Sequence, residues 1–319
     1  MTRRTPVVTG VGLAVSGLSD AAELFAPHRD CCAAALDLSG RQMRNKDRAS
    51  RLALLAAERA LADAATPSAG RMTADDAITA TVVSSNYGNL DSVCDIAERI
   101  TQHSSAALSP LSLPHVSSNA IAGWIAIRHD LRGPNITLCS GRTSGLDALH
   151  WAAILIRAGR ADAAVVVGVE PDTAPVRALL DLGPGDKVLD GAAAVIVEAD
   201  TRAERRGAPV RAVLGHYSRT THVHDDPRPP GLWLAPPTVR PHSGSPTAVL
   251  DLTARLGECS GALGVLQCIA AATFFDGGDP GSAYAVCGAN DSDVATLWLH
   301  PPRWNKGETA FVTSELEEP

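Results

Sequence analysis

The chain is short of aromatic side chains: phenylalanine, tryptophan and tyrosine together make up 4% of its 319 residues. Its core therefore has to be aliphatic and alanine-rich, which suits helices laid closely on a sheet. It lacks an excess of positive charge, with a formal net charge of -7, and this argues against nucleic-acid binding as the main function. It lacks any run near the ~20 apolar residues a membrane helix needs, so no membrane span is expected. MTRRTPVVTGVGLAV at the start has too short an apolar run for a signal peptide. Seven cysteines are present, but no CxxC pair and no disulfide framework spacing. An odd, scattered set reads as reduced thiols and a cytoplasmic setting.

What is present is a 45% hydrophobic composition, enough for one large domain or two halves sharing a core. TPVVTGVG reads as a short buried strand. Residues 46 to 64 have helical apolar spacing and strong helix formers. Residues 78 to 85 are β-branched and strand-like, and NLDSVCDIAERI and residues 118 to 131 read as further helices. A strand, a sharp turn, a helix and a strand follow in NITLCSGRTSGLDALHWAAILIRAGRADAAVVVGVE, 135 to 170, with Gly159 as a C-terminal cap. GAAAVIVEAD is another strand. PVRAVLGHYS opens a second, shorter series, which resumes after an irregular stretch, 219 to 247, with the helix SGALGVLQCIAAATFFDGG and the strands AYAVCG and VATLWLH. This alternation predicts a layered α/β fold.

The turn at 140 to 145 is an elbow of the kind that presents a nucleophile. Its residues are Ser140, Gly141, Arg142, Thr143, Ser144 and Gly145, and the apex is an arginine. VVTGVG, RGPNITLCSGRTSGLDAL, IRAGRADAAVVVGVE and VLDGAAAVIVEADTRAERRGAPVRAVLGHYS, in that order, resemble the β-ketoacyl synthase family. The resemblance runs over residues 6 to about 218, and more loosely over 250 to 299. It implies a thiolase-like five-layer αβαβα fold of two related halves, 1–200 and a shortened 201–319, integrated as one domain. It also implies a dimer built by strand pairing, and a catalytic cysteine at the elbow assisted by two histidines, or a histidine and an asparagine, and a lysine.

The expected catalytic positions are degenerate here. Arg142 stands for the nucleophile, Arg255 is the best match to the second histidine, and Leu250 stands near the lysine. No His-Gly-Thr run occurs in 219 to 247. A guanidinium stays protonated at any accessible pH and cannot attack a thioester. GLDAL within GRTSGLDAL is similar to the elbow of the chain length factors of bacterial type II polyketide synthases, which lack the nucleophile. That likeness implies a non-catalytic subunit paired with a catalytic ketosynthase, served by an acyl carrier protein, with no cofactor or metal of its own. Its tunnel-facing residues would come from SPLSLPHVSSNAIAGW, with Leu111, Leu113, His115 and Val116 as candidates. The simpler reading of Leu111 and Leu113 is ordinary core. A stand-alone enzyme using other side chains and a silent homodimeric scaffold are the competing classes.

Other features have a bland and a functional reading. Arg142 is expected to plug the dead pocket, the other reading being a pair with Glu258. Cys139 is expected to be buried within its strand and inert. His150 is expected on another face of its helix, too far to serve Ser144. THVHDD, with His222, His224, Asp225 and Asp226, reads as a solvated loop before it reads as a metal site. Arg202, Arg205 and Arg206 read as a solvated face before they read as a carrier-protein contact.

Overall fold

The computed structural model describes residues 4–26, 36–65, 78–110, 112–223, 229–236, 239, 246–288 and 293–302. Strand β1 spans Pro6–Val15, followed by α1 at Arg48–Ala64, β2 at Thr79–Ser84 and α2 at Leu90–His103. Helix α3 covers Ala120–His129, β3 Asn135–Leu138, α4 Ser144–Arg157 and β4 Ala163–Glu170. The short α5, Ala174–Leu179, precedes β5, Gly191–Ala199, and α6, Asp200–Arg206. The second series holds β6, Ala212–Thr220, β7, Leu232–Leu234, β8, Ala248–Leu250, α7, Leu252–Leu256, α8, Leu263–Asp276, β9, Ala283–Gly288, and β10, Val294–His300.

The strands hydrogen-bond in the order β3-β2-β4-β5-β1-β6-β10-β9-β7-β8. Counted within each set of five, the order is 3-2-4-5-1 twice, meeting back to back where Val7 and Val8 of β1 pair with Val213 and Ala212 of β6. The sense of pairing repeats as well. The first-to-fifth and fourth-to-fifth pairs are antiparallel, while the second strand runs parallel to the third and fourth. This repetition gives the molecule its two related halves.

Period-two alternation sorts each strand's side chains into layers. Val82, Val166, Ala193, Val195 and Val197 face α4 and α8, together with Ala283, Ala285 and Cys287 from the other half. Their sequence neighbours Val83, Val165, Val167, Ala192, Ala194 and Ile196 face α1 and α3. Helix α1 starts at an N-cap, Asp47, whose carboxylate accepts the Ser50 N–H at 2.6 Å. Its alanines let it lie close on β1: a Cβ on Gly10 would stand 2.5 Å from the Ala60 carbonyl oxygen. The central helices cross backbone to backbone, since a Cβ on Gly145 would stand 2.7 Å from the Gly264 nitrogen.

On the outer face of the second half, the described residues place no helix between β6 and β7. A small cluster of Trp233, Ala235, Val239, Tyr284, Val286 and Val294, flanked by Val223 and Trp298, lies there instead. Tyr284 sits 5.3 Å from Trp233 and 4.6 Å from Trp298 between ring centroids. Three of the chain's aromatics, Trp233, Tyr284 and Trp298, thus pack where a helical layer is reduced. The irregular stretch expected over 219 to 247 does hold one short strand, β7, whose LWL is too brief to show a period.

Three expectations are corrected by the packing. Arg202 and Arg206 do not form a solvated face: both hold the fully buried Glu198, at 3.0 and 2.5 Å, and only Arg205 of the three is exposed. Thr9 also donates its hydroxyl to Glu198. Cys139 lies just past the end of β3 and is exposed. Leu113 is 47% exposed and is not core. No helix among the described residues is long and apolar enough to cross a membrane.

Candidate functional site

The elbow forms where β3 ends and α4 begins. Residues 141–143 make one 3-10 turn that runs directly into α4. Gly141 has φ +75°, a conformation glycine adopts without strain, so the chain can reverse there and lift residue 142 off the helix. Ser144 anchors the start of the helix by donating to the Leu138 carbonyl at 3.0 Å. Thr143 and Gly145 are buried, Ser140 half-buried and Arg142 exposed.

Arg142 does not plug a cavity. Its side chain is 58% exposed and its Nη2 meets Glu258 Oε2 at 2.9 Å, across from the first half to the turn that precedes α8. Glu258 is held in place by the Ser260 N–H, which donates to its other oxygen at 2.9 Å. Arg255, expected to stand in the second histidine's place, is turned away: its guanidinium donates to the Ala26 carbonyl. The side chain that reaches the elbow apex from the second half is Glu258, three positions later. Leu250 lies on β8, opposite Leu234, as a part-buried core residue.

Beneath the ion pair lies a polar seam that the sequence reading missed. Asn86, in the loop after β2, brackets Gly141 by accepting its N–H at 3.1 Å and donating to its carbonyl at 2.9 Å. Its amide also donates to Ser260 Oγ at 2.7 Å. Ser260 has φ +41°, a strained conformation for a residue with a side chain. Glu170, at the end of β4 and 1% exposed, accepts the N–H groups of Asn86, Tyr87 and Gly261 at 2.7, 3.0 and 3.0 Å. Burial raises its carboxyl to about 7 against the pull of those donors. The signal in the sequence was an acid ending an otherwise apolar strand, VVVGVE.

A second hub holds the elbow from the other side. Asp147, on the first turn of α4 and 5% exposed, accepts from Ser140 Oγ at 2.5 Å, Thr143 Oγ1 at 3.0 Å, Arg219 Nη1 at 3.1 Å and the Tyr217 hydroxyl. Burial and Asp147 push the Tyr217 hydroxyl up, so it stays protonated and donating. His150 stacks on Tyr217 at 4.0 Å, with its basicity lowered by burial and then by Arg157. It is a packed histidine, on another face from Ser144.

No thiol at the site is primed for attack. Cys139 is exposed yet pushed up, first by partial desolvation and then by Glu170. Cys259, beside Glu258, is fully buried and pushed up by burial. Of the four tunnel candidates, Leu111 lies outside the described residues. Leu113, His115 and Val116 share a 3-10 turn ahead of α3. His115 stacks on Trp124 at 5.4 Å, and the Val116 carbonyl accepts from Asn89 at 2.6 Å. His222 lies in the bend just past β6, its carbonyl accepting from Thr220 at 2.5 Å, while His224, Asp225 and Asp226 lie outside the described residues. No metal-holding group of His, Cys, Asp or Glu occurs among the described residues.

The sequence pattern of the family described as Beta-ketoacyl synthase, N-terminal domain matches residues 14–180. The chain belongs to the β-ketoacyl synthase family. It is 31% identical over 144 residues to 3-oxoacyl-[acyl-carrier-protein] synthase 2 of Coxiella burnetii (strain RSA 493 / Nine Mile phase I), over 38% of this chain and 35% of that protein. It is 34% identical over 119 residues to the protein of the same name from Rhizobium meliloti (strain 1021), over 37% of this chain and 28% of that protein. The matched stretch is thus well under two thirds of these curated relatives. Among solved structures, "The ishigamide ketosynthase/chain length factor" aligns with a TM-score of 0.73 at 24% identity, over 93% of this chain and 99% of that one. A type II polyketide synthase ketosynthase in complex with its acyl-carrier protein aligns with a TM-score of 0.74 at 15% identity, over 94% and 100%. At these identities the structures show the thiolase-like ketosynthase fold. Within this β-ketoacyl synthase family member, the apex of the elbow is held by an arginine that pairs with Glu258.

Proposed function

We propose that this chain is a non-catalytic subunit of the chain length factor kind, which pairs with a catalytic ketosynthase of a type II polyketide synthase and bounds the acyl-chain tunnel. The observation that carries the reading is the elbow itself. Its fold is intact, yet its apex presents a guanidinium paired to a carboxylate rather than a nucleophile paired to a base. The guanidinium at the apex cannot attack a thioester, and the nearby thiols are pushed away from the thiolate form.

The surface supports a partner on the β3 side. Strand β3 ends the sheet, its outer edge unpaired among the described residues. Ile127 on α3 is 75% exposed, Trp151 on α4 43% and Leu113 47%. Helix α2 buries no residue at all and exposes Val93 and Ile100. An open edge flanked by apolar side chains is the kind of surface that a second, similar chain covers by extending the sheet. In that arrangement the 113–116 turn lies beside the partner's acyl tunnel, where each added two-carbon unit has to find volume in a packed wall. The acyl carrier protein is served through the complex, and the setting is cytoplasmic.

The catalytic names of the sequence relatives favour a second reading, an enzyme working alone on the same fold. Co-expression separates the two. A stable one-to-one complex with a cysteine-bearing ketosynthase, inactive when this chain is omitted, supports the subunit. A lone chain that releases carbon dioxide from a malonyl thioester, or hydrolyses an acyl thioester, rejects it.

A further inference from the structure

We propose that the Arg142–Glu258 pair is a charge latch that keeps acyl thioesters out of this subunit's own elbow. The inference rests on the non-catalytic reading above and adds what that reading leaves open: how a surviving elbow is prevented from competing for substrate with the partner's.

The contacts across the two halves are ordered by depth. Deepest is Glu170, buried, accepting from Asn86 and Tyr87 on one side and Gly261 on the other. Ser84 donates to the Gly261 carbonyl at 2.6 Å at the same level. Next is Asn86, part-buried, joining Gly141 to Ser260. Outermost is Arg142–Glu258, with side chains 58% and 32% exposed. The pair therefore closes the solvent end of the seam, over the first turn of α4. A thioester carbonyl heading for that turn has to displace it. One end is fixed, because Glu258 is held by the Ser260 N–H. The other is a long, exposed side chain on a turn whose Gly141 is bracketed by Asn86, so the Arg142 side chain itself is the arm that swings.

This closure differs from a steric plug in what opens it. A half-exposed ion pair contributes little and is screened by salt, so its release shifts an open population by a small factor. A closure held by packing alone would not respond to salt.

The test is binding of an uncharged acyl thioester, hexanoyl-N-acetylcysteamine, to the full chain, read by saturation-transfer NMR. The wild type is expected to bind weakly in about 0.05 M salt and roughly two- to fivefold better in about 1 M salt, where charges are screened beyond ~3 Å. Arg142→Met, of similar length, and Glu258→Gln are expected to bind at the higher level in both salts. Arg142→Lys is expected to behave as wild type. Melting curves confirm that each variant is folded, and the salt comparison on the unmodified chain needs no variant. Equal binding by the wild type in both salts, or an Arg142→Met variant as closed as the wild type, overturns the latch. Neither result touches the subunit role, which is read from product length in the ketosynthase complex.

Discussion

At the residue scale, charges are placed where one partner alone would be costly. Glu198 is fully buried between Arg202 and Arg206, with Thr9 on its remaining face. Glu198→Ala strands two guanidinium groups at 10% and 11% exposure, and a loss of about 3–5 kcal/mol is expected, since an uncompensated buried charge is what such a deletion leaves. Denaturant melts of the variant measure it; a loss below ~1 kcal/mol would show that the pair is dispensable. Glu170 gives a prediction in pH. Its folded carboxyl is raised to about 7 from 4.5, so the folded state holds its proton more tightly than the unfolded chain. The stability it contributes is present below 4.5 and lost as pH rises through about 7. Glu170→Gln should flatten the fall in stability between about pH 4.5 and about pH 7, while costing stability overall because an amide matches three N–H donors less well. An unchanged slope in the variant would place the proton elsewhere.

Arg142→Cys alone should restore no condensation. The new thiol would face Glu258, a carboxylate that disfavours the thiolate. Condensation by that single variant, measured with malonyl and acyl thioesters, would contradict the account of the elbow.

At the scale of elements, the fold was well marked in the sequence because its parts obey simple periods. The helices at 46 to 64 and 118 to 131 and the buried strands at 163 to 170 and 191 to 199 carry unbroken helical or apolar patterns. The elbow was marked by Gly141 and the small residues after it. What was not marked is long-range. Nothing local says that Asn86 meets Gly141 or that Glu170 meets Gly261, because those partners are 55 and 91 residues apart and are joined only when separate loops converge. The same distance explains Arg255: counting along the chain places it near the helix start, but the short turn of α7 aims it at Ala26 and brings Glu258 forward instead. Arg202 and Arg206 were mistaken for a solvated face because the acid between them, Glu198, is buried at the end of a preceding strand. At the α4–α8 crossing two backbones touch directly. Gly145→Ala puts a methyl 2.7 Å from backbone nitrogen of Gly264, and a loss of about 1–3 kcal/mol is expected as the two central helices separate. Calorimetry checks it, and a neutral substitution would mean that the crossing yields.

At the scale of the whole molecule, a five-strand pattern is used twice, and the two copies are welded by central helices and by the seam under Arg142. Among the described residues the sheet ends at β3 and at β8, and the β3 edge stands beside exposed Ile127, Trp151 and Leu113. If that edge meets a ketosynthase, Leu113→Phe and Val116→Phe should shorten the product of the pair by one or more two-carbon units without abolishing it. Mass spectrometry of the products checks this; unchanged lengths with the complex intact would remove the 113–116 turn from the tunnel.

The most direct test of the central claim is a condensation assay in three arms, with a cysteine-bearing ketosynthase alone, this chain alone, and both together, each supplied with malonyl-loaded acyl carrier protein. The account predicts elongation in the combined arm and silence from this chain alone. Turnover of the thioester by this chain alone, lost on a substitution at its own elbow, would contradict it.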